Sequence, residues 1–313
     1  MDPSLNYPLI FKSLSRDAKT KLGEVNKHNE QATDYACLAK SLAVQECYEL
    51  AGVFLLGKAR CEFSARNAIS EASTLFSAAK YFLQADDKYT SMNCINYEDN
   101  LNCAIFCLLR SARIYELNEL FTLATNVYIY LSDSLMRRCK FHQAICYLKH
   151  SIEIISKDIL LSLELYKRLS YCQLYLHDWA SSLNTFITIQ HLVEKEFKFK
   201  HRIRLICIYI SGVHLKYFVY YSFYSPSYQL RSLDSSGYSV QQYDVLNCEK
   251  GEDLKSVYMD ADLFILLQSL VLAHQSKDIV EVESLSVMLQ SFVNLEQREL
   301  INLIVREMVM DAS

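Results

Sequence analysis

Glycine and proline are scarce in this chain of 313 residues, which contains six glycines and three prolines. Neither residue occurs between Lys58 and Ser211. Because β-sheet proteins need turn residues at short intervals, this stretch predicts helices joined by short polar connections. The polar positions that suit such connections are Asp86-Asp87, Asn93 to Asn96, Asn118, Lys140 and His177-Asp178.

The chain also lacks a basic footprint and a secretory leader. Its formal net charge is −4, whereas nucleic-acid binding normally requires a basic surface, so we expect no nucleic-acid partner. The basic cluster at 195–204 contains Glu196 and is interpreted as a solvated helix end. The opening residues MDPSLNYPLI show no basic segment followed by a long apolar run. Eleven cysteines, an odd number, then indicate reduced thiols in a cytosolic or nuclear protein.

One apolar stretch, residues 203–224, is long enough to cross a bilayer. It contains Arg204, His214 and Lys216, and a lysine near the centre of a spanning helix costs about 2.5–3.5 kcal/mol. We therefore predict a buried aromatic helix here, with no membrane span.

Repeats are the next signal. The second helix of a tetratricopeptide repeat carries small residues in the pattern A-x3-F-x2-A, where two helices cross closely. Three segments match with decreasing fidelity, and two segments resemble the first-helix pattern. The second-helix anchors are Ala72-Phe76-Ala79, Ala144-Leu148-Ser151 and Ser182-Phe186-Ile189, and the first-helix matches are Tyr128-Leu131-Ser132-Leu135 and Tyr166-Leu169-Ser170-Gln173.

The spacing of these anchors predicts a tetratricopeptide-like α-solenoid of antiparallel helical hairpins. Positions 72, 144 and 182 are separated by close to two units and then one unit of a repeat in the mid-thirties. We predict a solenoid over 1–224, a partly ordered Ser-rich connection over 225–257, and a C-terminal three-helix cap over 258–313.

The segment GVFLLGKA, residues 52–59, differs at one position from a phosphate-binding loop. Gly52, Gly57 and Lys58 are in register, but Ala59 replaces the hydroxyl residue that binds magnesium. The apolar insert is poorly suited to wrapping phosphates, and the preceding residues have a helical pattern. We predict a helix from about Val44 to Ser64, in which Gly52 and Ala59 permit close crossings.

Metal and catalytic chemistry receive little support from the sequence. Cys139, His142, Cys146 and His150 fall along one helix over about 16 Å, too far apart for one tetrahedral site. They are interpreted as a polar helix face opposite the Ala144 crossing. The pair Cys103 and Cys107 is interpreted as buried thiols. We therefore predict no metal, no cofactor and no enzymatic activity.

Three collinear stretches carry a family resemblance. They are AVQECYELAGVFLLGKARCE leading into EASTLFSAAKYFLQADD (43–87), HDWASSLNTFITIQHLVEK (177–195), and LFILLQSLVLAHQSKD followed by LEQRELINLIVRE (263–307). Together they resemble the family of forty-kilodalton huntingtin-associated proteins. Vertebrate members carry a Gly/Ala-rich start and a Pro-rich central insertion, and this chain has neither, like an invertebrate-type member.

The resemblance implies a non-enzymatic solenoid that docks into and stabilises huntingtin, a large HEAT-repeat protein. It also implies a link to early endosomes through a Rab-type GTPase, and a cytoplasmic protein with nuclear and endosomal pools. The alternative is a vesicle-fusion adaptor resembling the soluble attachment proteins.

Two groups of residues are the candidate contacts with the partner. Acidic residues precede the last family-like stretch, and an aromatic run ends the predicted solenoid. The acidic group is Glu249, Glu252, Asp253, Asp260 and Asp262, and the aromatic group is Tyr217, Phe218, Tyr221, Phe223 and Tyr224.

Overall fold

The computed structural model describes residues 7–20, 25–93, 97–155, 158–176 and 276–293, with further positions between 178 and 192 and between 265 and 309. Throughout this described part the chain is helical, and no strand occurs in it. The helices are α1 (Tyr7–Thr20), α2 (Val25–Val44), α3 (Tyr48–Ser64), α4 (Ala68–Ser91), α5 (Asp99–Leu117), α6 (Phe121–Met136), α7 (Phe141–Ile154), α8 (Ile159–Tyr175) and α9 (Ile279–Leu289).

Two compact units divide the chain, Met1–Cys172 and Gln173–Ser313. In the first unit each helix from α2 to α6 packs against the next one, and α1 packs against α2 and α3. Serial packing of adjacent helices is the arrangement of an α-solenoid. The domain boundaries predicted at 224 and 257 lie outside the described residues.

The turns between helices explain how the chain folds with so little glycine. In five of them a residue other than glycine adopts the left-handed conformation, with φ between 56° and 60°: Glu46, Arg66, Glu119, Cys139 and Lys277. The following amide bonds back to the carbonyl five residues earlier, as in Cys47 N to Leu42 O at 2.9 Å. This is the Schellman arrangement, which glycine usually completes.

Most predicted connections coincide with these turns. Asn118 and Lys140 lie between helices, and Asn93 begins the connection from α4 to α5. Residues 94–96 and 177 lie outside the described part. The prediction for Asp86 and Asp87 is wrong, because both lie inside α4.

Arg138, at the end of α6, explains why two adjacent aspartates are tolerated inside α4. Its Nε donates to Asp86 Oδ2 at 2.8 Å, and its guanidinium also pairs with Asp87 and donates to Leu83 O at 3.4 Å. The Asp86 side chain is 5% exposed and Arg138 is 15% exposed. Asp86, which the local sequence assigns to a loop, is therefore one partner of a buried ion pair between α4 and α6.

The helix predicted from about Val44 to Ser64 corresponds to α3, which ends at Ser64 as predicted but begins four residues later, at Tyr48. α2 ends at Val44, and α3 begins at Tyr48 after the turn around Glu46. The local sequence pattern does not predict the break between α2 and α3. The residue in the left-handed conformation there is a glutamate, and glutamate is not a typical helix-ending residue.

The repeat anchors are buried, but the predicted repeat phase is wrong. Ala72 and Ala79 of α4 and Ala144, Leu148 and Ser151 of α7 are fully buried, so each set marks a close helix contact. However, α5 and α6 lie between α4 and α7, so the two anchor helices are three positions apart in the helix order. Two helical hairpins would place them four positions apart. α4 has 24 residues and α5 has 19, and these long helices let three helix steps cover the residue spacing expected of four.

The second unit contains its own apolar cluster. α9 begins at Asp278, whose Oδ1 accepts a hydrogen bond from Glu281 N at 3.1 Å, a side-chain cap on the helix. The buried members of the cluster are Leu270, Ala273, Val282, Leu285, Leu289, Val293 and Ile301. Helical segments on both sides of α9 therefore share one core with it.

The left-handed turns predict an unusual response to glycine. Arg66 is exposed at φ 58°, a conformation that costs an L-residue about 1–2 kcal/mol. Glycine removes that cost but loses about 0.5–1 kcal/mol through the unfolded chain. We expect Arg66→Gly to stabilise the fold by up to about 1 kcal/mol and Arg66→Val to destabilise it, as measured by urea unfolding. Equal midpoints for the two variants would contradict this geometry.

The ion pair between α4 and α6 predicts a large loss of stability. Arg138→Met removes the positive charge that faces the buried Asp86 carboxylate, and breaking a buried ion pair from one side costs about 3–5 kcal/mol. Asp87→Asn is the matched control, since this carboxylate is 69% exposed and its loss should cost less than about 1 kcal/mol. The test compares the denaturant midpoint of each variant with that of the parent chain. Similar shifts for the two variants would show that the Arg138–Asp86 ion pair does not stabilise the fold as proposed.

Candidate functional site

The segment GVFLLGKA lies entirely within α3, so its backbone amides are engaged in helix hydrogen bonds. Its glycines serve helix packing. A Cβ atom on Gly52 would lie 2.8 Å from the Phe82 ring, and one on Gly57 would lie 2.5 Å from the Tyr35 ring. The predicted close crossing at Gly52 is confirmed. The crossing at Gly57 was missed, since the phosphate-loop pattern offered another use for that residue.

These contacts hold α3 between two neighbours. Phe82 belongs to α4 and Tyr35 to α2, and each side chain is 2% exposed. The Tyr35 ring also lies 6.2 Å from Phe54 and 5.8 Å from Phe11 of α1. One end of the described solenoid is thus organised around α3.

A groove with a volume of about 360 Å³ opens where α2 and α4 flank α3. α3 contributes Leu55 and Lys58 to its lining. α2 contributes Lys40 and the small side chains Ala36 and Ala39. This size falls at the lower end of the range for ligand pockets, about 300–1,000 Å³.

α4 forms the long wall of this groove. Its lining residues run from Ser73 to Gln84, eleven steps of a helix, or about 16 Å. Lys80 stands on this wall with its Nζ 4.7 Å from the centre of the Phe76 ring and 5.7 Å from that of Tyr130. The two rings meet edge to face at 5.1 Å, so the ammonium group has a defined resting place.

The charge of the groove is unbalanced. Its lining contains Lys40, Lys58 and Lys80 and no carboxylate. None of the three forms an ion pair in the part of the chain that the structure describes. Two other lysines do form ion pairs: Lys88 bonds Glu46 at 2.9 Å and Lys140 bonds Glu98 at 2.7 Å. The groove therefore concentrates positive charge on a chain whose net charge is −4.

No sequence pattern predicts this groove. The three lysines stand far apart along the chain, one on each of three helices, and only helix packing brings them to one groove. The phosphate-loop pattern includes Lys58, but it assigns this lysine to phosphate binding in a loop, and Lys58 lies within a helix.

A second surface feature combines two exposed aromatic rings with an ordered arginine. Phe63 at the end of α3 and Phe106 on α5 are each 63% exposed. Arg110 lies one helical turn after Phe106, with its guanidinium carbon 5.8 Å from the centre of the Phe63 ring. Its Nη2 donates to Glu71 Oε1 at 2.8 Å, and the Glu71 side chain is 5% exposed. We call Phe63, Phe106 and Arg110 the aromatic–arginine patch.

The four residues weighed as zinc ligands lie on the solvent side of the helix, as the sequence predicted. His142, Cys146 and His150 of α7 and Cys139 in the turn before it are all exposed. His150 instead approaches Glu116, with Nε2 3.5 Å from Oε1. Within the residues described, no three His, Cys, Asp or Glu side chains are placed to hold a metal ion.

The described cysteines are free thiols that differ in exposure. Cys107 is 1% exposed, and burial raises the pKa of its thiol to about 12. Cys103 was expected to be buried with it but is exposed, because its side of α5 faces away from the core. The prediction for Cys103 is therefore wrong, although the two thiols are one helical turn apart.

The candidate partner contacts at 217–224 and 249–262 lie outside the described residues, as do the basic cluster at 195–204 and the apolar stretch at 203–224. Among the helices that are described, none is both long enough and apolar enough to cross a bilayer.

No protein-family model matches the chain, and no curated protein matches it either.

The glycine contacts predict that adding one methyl group to α3 harms the fold. Gly57→Ala favours the helix by about 1 kcal/mol, but overpacking a filled core costs about 1–3 kcal/mol. Because Tyr35 is buried and cannot swing away, we expect a net loss of up to about 2 kcal/mol in urea unfolding. Ser64→Ala, at the exposed end of the same helix, is the control and should be neutral or slightly stabilising. A stabilised Gly57→Ala variant would show that α3 does not approach α2 this closely.

Proposed function

We propose that this chain is a non-enzymatic, tetratricopeptide-like scaffold that binds and stabilises a large helical-repeat partner, and that the partner is huntingtin. The family resemblance of residues 43–87, 177–195 and 263–307 supplies the name of the partner. A role at early endosomes through a Rab-type GTPase belongs to the same proposal, as does a cytoplasmic location with nuclear and endosomal pools.

The observation that carries the proposal is the aromatic–arginine patch. Phenylalanine and arginine are enriched at protein interfaces, where a few ordered side chains supply most of the affinity. Here Glu71 and the Phe63 ring hold Arg110 before any partner arrives, so less side-chain entropy remains to be lost on binding. Two phenylalanine rings at 63% exposure cost free energy in water that a partner would recover.

A scaffold role also suits the arrangement of the helices. A series of helices that pack on their neighbours exposes much surface for its length, which is how repeat proteins present binding faces. The segment that resembles a nucleotide-binding loop is helical and supports packing instead. These features favour binding over chemistry.

Co-purification tests this proposal. The full chain carrying an affinity tag is recovered from cells under mild conditions, and its bound proteins are identified by mass spectrometry. We expect a stoichiometric huntingtin band. Recovery of a vesicle-fusion ATPase in its place would favour the adaptor alternative, and a chain that brings down neither protein would refute the huntingtin proposal.

Two double variants assign the contact. Phe63→Ser with Phe106→Ser removes the exposed rings and should lower huntingtin recovery about tenfold or more, since interface anchors contribute about 2 kcal/mol or more each. Val44→Ser with Leu117→Ser is the control, because these side chains are 85% and 79% exposed. Thermal melting checks that both variants fold. Equal recovery with both would place the interface elsewhere on the chain.

A further inference from the structure

The groove between α2 and α4 holds three lysines that the proposed interface does not use. Lys40, Lys58 and Lys80 come from three different helices and line a single concavity of about 360 Å³. Among the described residues of the lining there is no carboxylate that could pair with them. An anion that enters the groove would therefore meet positive side chains without an opposing negative charge.

The shape of the groove indicates an elongated ligand. Its α4 wall from Ser73 to Gln84 runs about 16 Å, and an extended peptide rises about 3.3 Å per residue. About five residues of extended chain would span the wall. A single phosphate ion would occupy one end of it and leave the other lysines unneutralised.

The rest of the lining suits a peptide backbone. Ala36 and Ala39 leave room for close approach on the α2 side. On the α4 side stand the hydroxyl groups of Ser73 and Ser77, which donate to carbonyls of their own helix at 3.0 Å and keep lone pairs for a peptide N–H. Leu55 gives an apolar contact between the two walls.

We propose that this groove binds an extended acidic peptide segment of a partner protein, with Lys40, Lys58 and Lys80 neutralising its Asp or Glu side chains. The inference rests on the proposed function, since a scaffold without enzymatic activity uses such a groove to hold a partner's chain. Charge complementarity there would set the specificity and the association rate more than the affinity.

Two other anionic macromolecules fit less well. A bilayer is flat on this scale and cannot follow a groove between adjacent helices. Nucleic acid would bring a long run of phosphates past a chain of net charge −4, where attraction is confined to three lysines. Both the shape and the overall charge therefore favour a short acidic peptide.

Fluorescence anisotropy with the full chain tests the assignment. The probe is a fluorescein-labelled Glu-Asp-Glu-Asp-Glu peptide, and the Gln-Asn-Gln-Asn-Gln peptide is its neutral counterpart. We expect saturable binding of the acidic peptide alone, weakened by added salt because exposed charges are screened. No binding at low salt would overturn the proposal.

Matched double variants separate the groove from net charge. Lys40→Gln with Lys80→Gln should weaken peptide binding about tenfold or more, and Lys40→Arg with Lys80→Arg should retain it. Lys12→Gln with Lys149→Gln removes the same charge from exposed positions on α1 and α7 and should change binding less than about twofold. Lys58→Gln alone should also weaken binding, and melting temperatures confirm that each variant folds. Equal losses in the two Gln doubles would overturn the groove assignment.

Competition and co-purification settle the remaining outcomes. Inorganic phosphate that displaces the peptide at equal concentration would overturn the proposal in favour of a simple anion site. A thymidine oligonucleotide that binds more tightly, and is lost with the same lysines, would overturn it in favour of nucleic acid. If wild-type chain recovers huntingtin but fails to bind the acidic peptide, only the groove assignment fails. If the peptide binds and huntingtin is absent, the proposed partner fails and the groove stands.

Discussion

The first unit of the structure depends on how closely α3 approaches its two neighbours. At Gly52 and Gly57 the rings of Phe82 and Tyr35 occupy the space that a Cβ atom would take. Two glycines on different faces of one helix therefore let α4 and α2 close in from both sides. The same approach puts α3 between the groove walls, so the packing contact and the proposed binding site have one physical origin.

Two sets of lysines in this unit differ in their electrostatic surroundings. Lys88 and Lys140 lie near helix ends and bond glutamates of other turns, which ties successive turns together. Lys40, Lys58 and Lys80 face the groove and have no such partners among the described residues. Surface ion pairs contribute little to stability, so the lack of such pairs at Lys40, Lys58 and Lys80 costs the fold little. In our proposal these three lysines bind an acidic peptide instead. The buried pair of Arg138 with Asp86 belongs to neither group and joins α4 to α6.

The helical class was readable from the sequence, and the repeat phase was not. A stretch without glycine or proline favoured helices, and the described residues are helical. The individual anchors at Ala72 and Ala144 are buried as expected, because small residues at helix crossings leave a local pattern. Counting the helices between these anchors requires locating the turns, and turns completed by residues such as Glu119 and Cys139 contain no glycine. Helix length also varies. The number of residues between Ala72 and Ala144 is therefore the number expected for four helix steps, although the structure has three.

The sequence by itself determined the helical class, the polar face of α7 and the small-residue crossings at Gly52 and Ala144, since each follows from the period of one helix. Tertiary structure alone decided the rest. Asp86 reads as a turn residue until Arg138, 52 residues later, neutralises it inside α4. Lys40, Lys58 and Lys80 read as unrelated surface residues until α2, α3 and α4 bring them to one groove. The physical reason is the same in both cases: charge acts through space, and distance along the chain does not measure it.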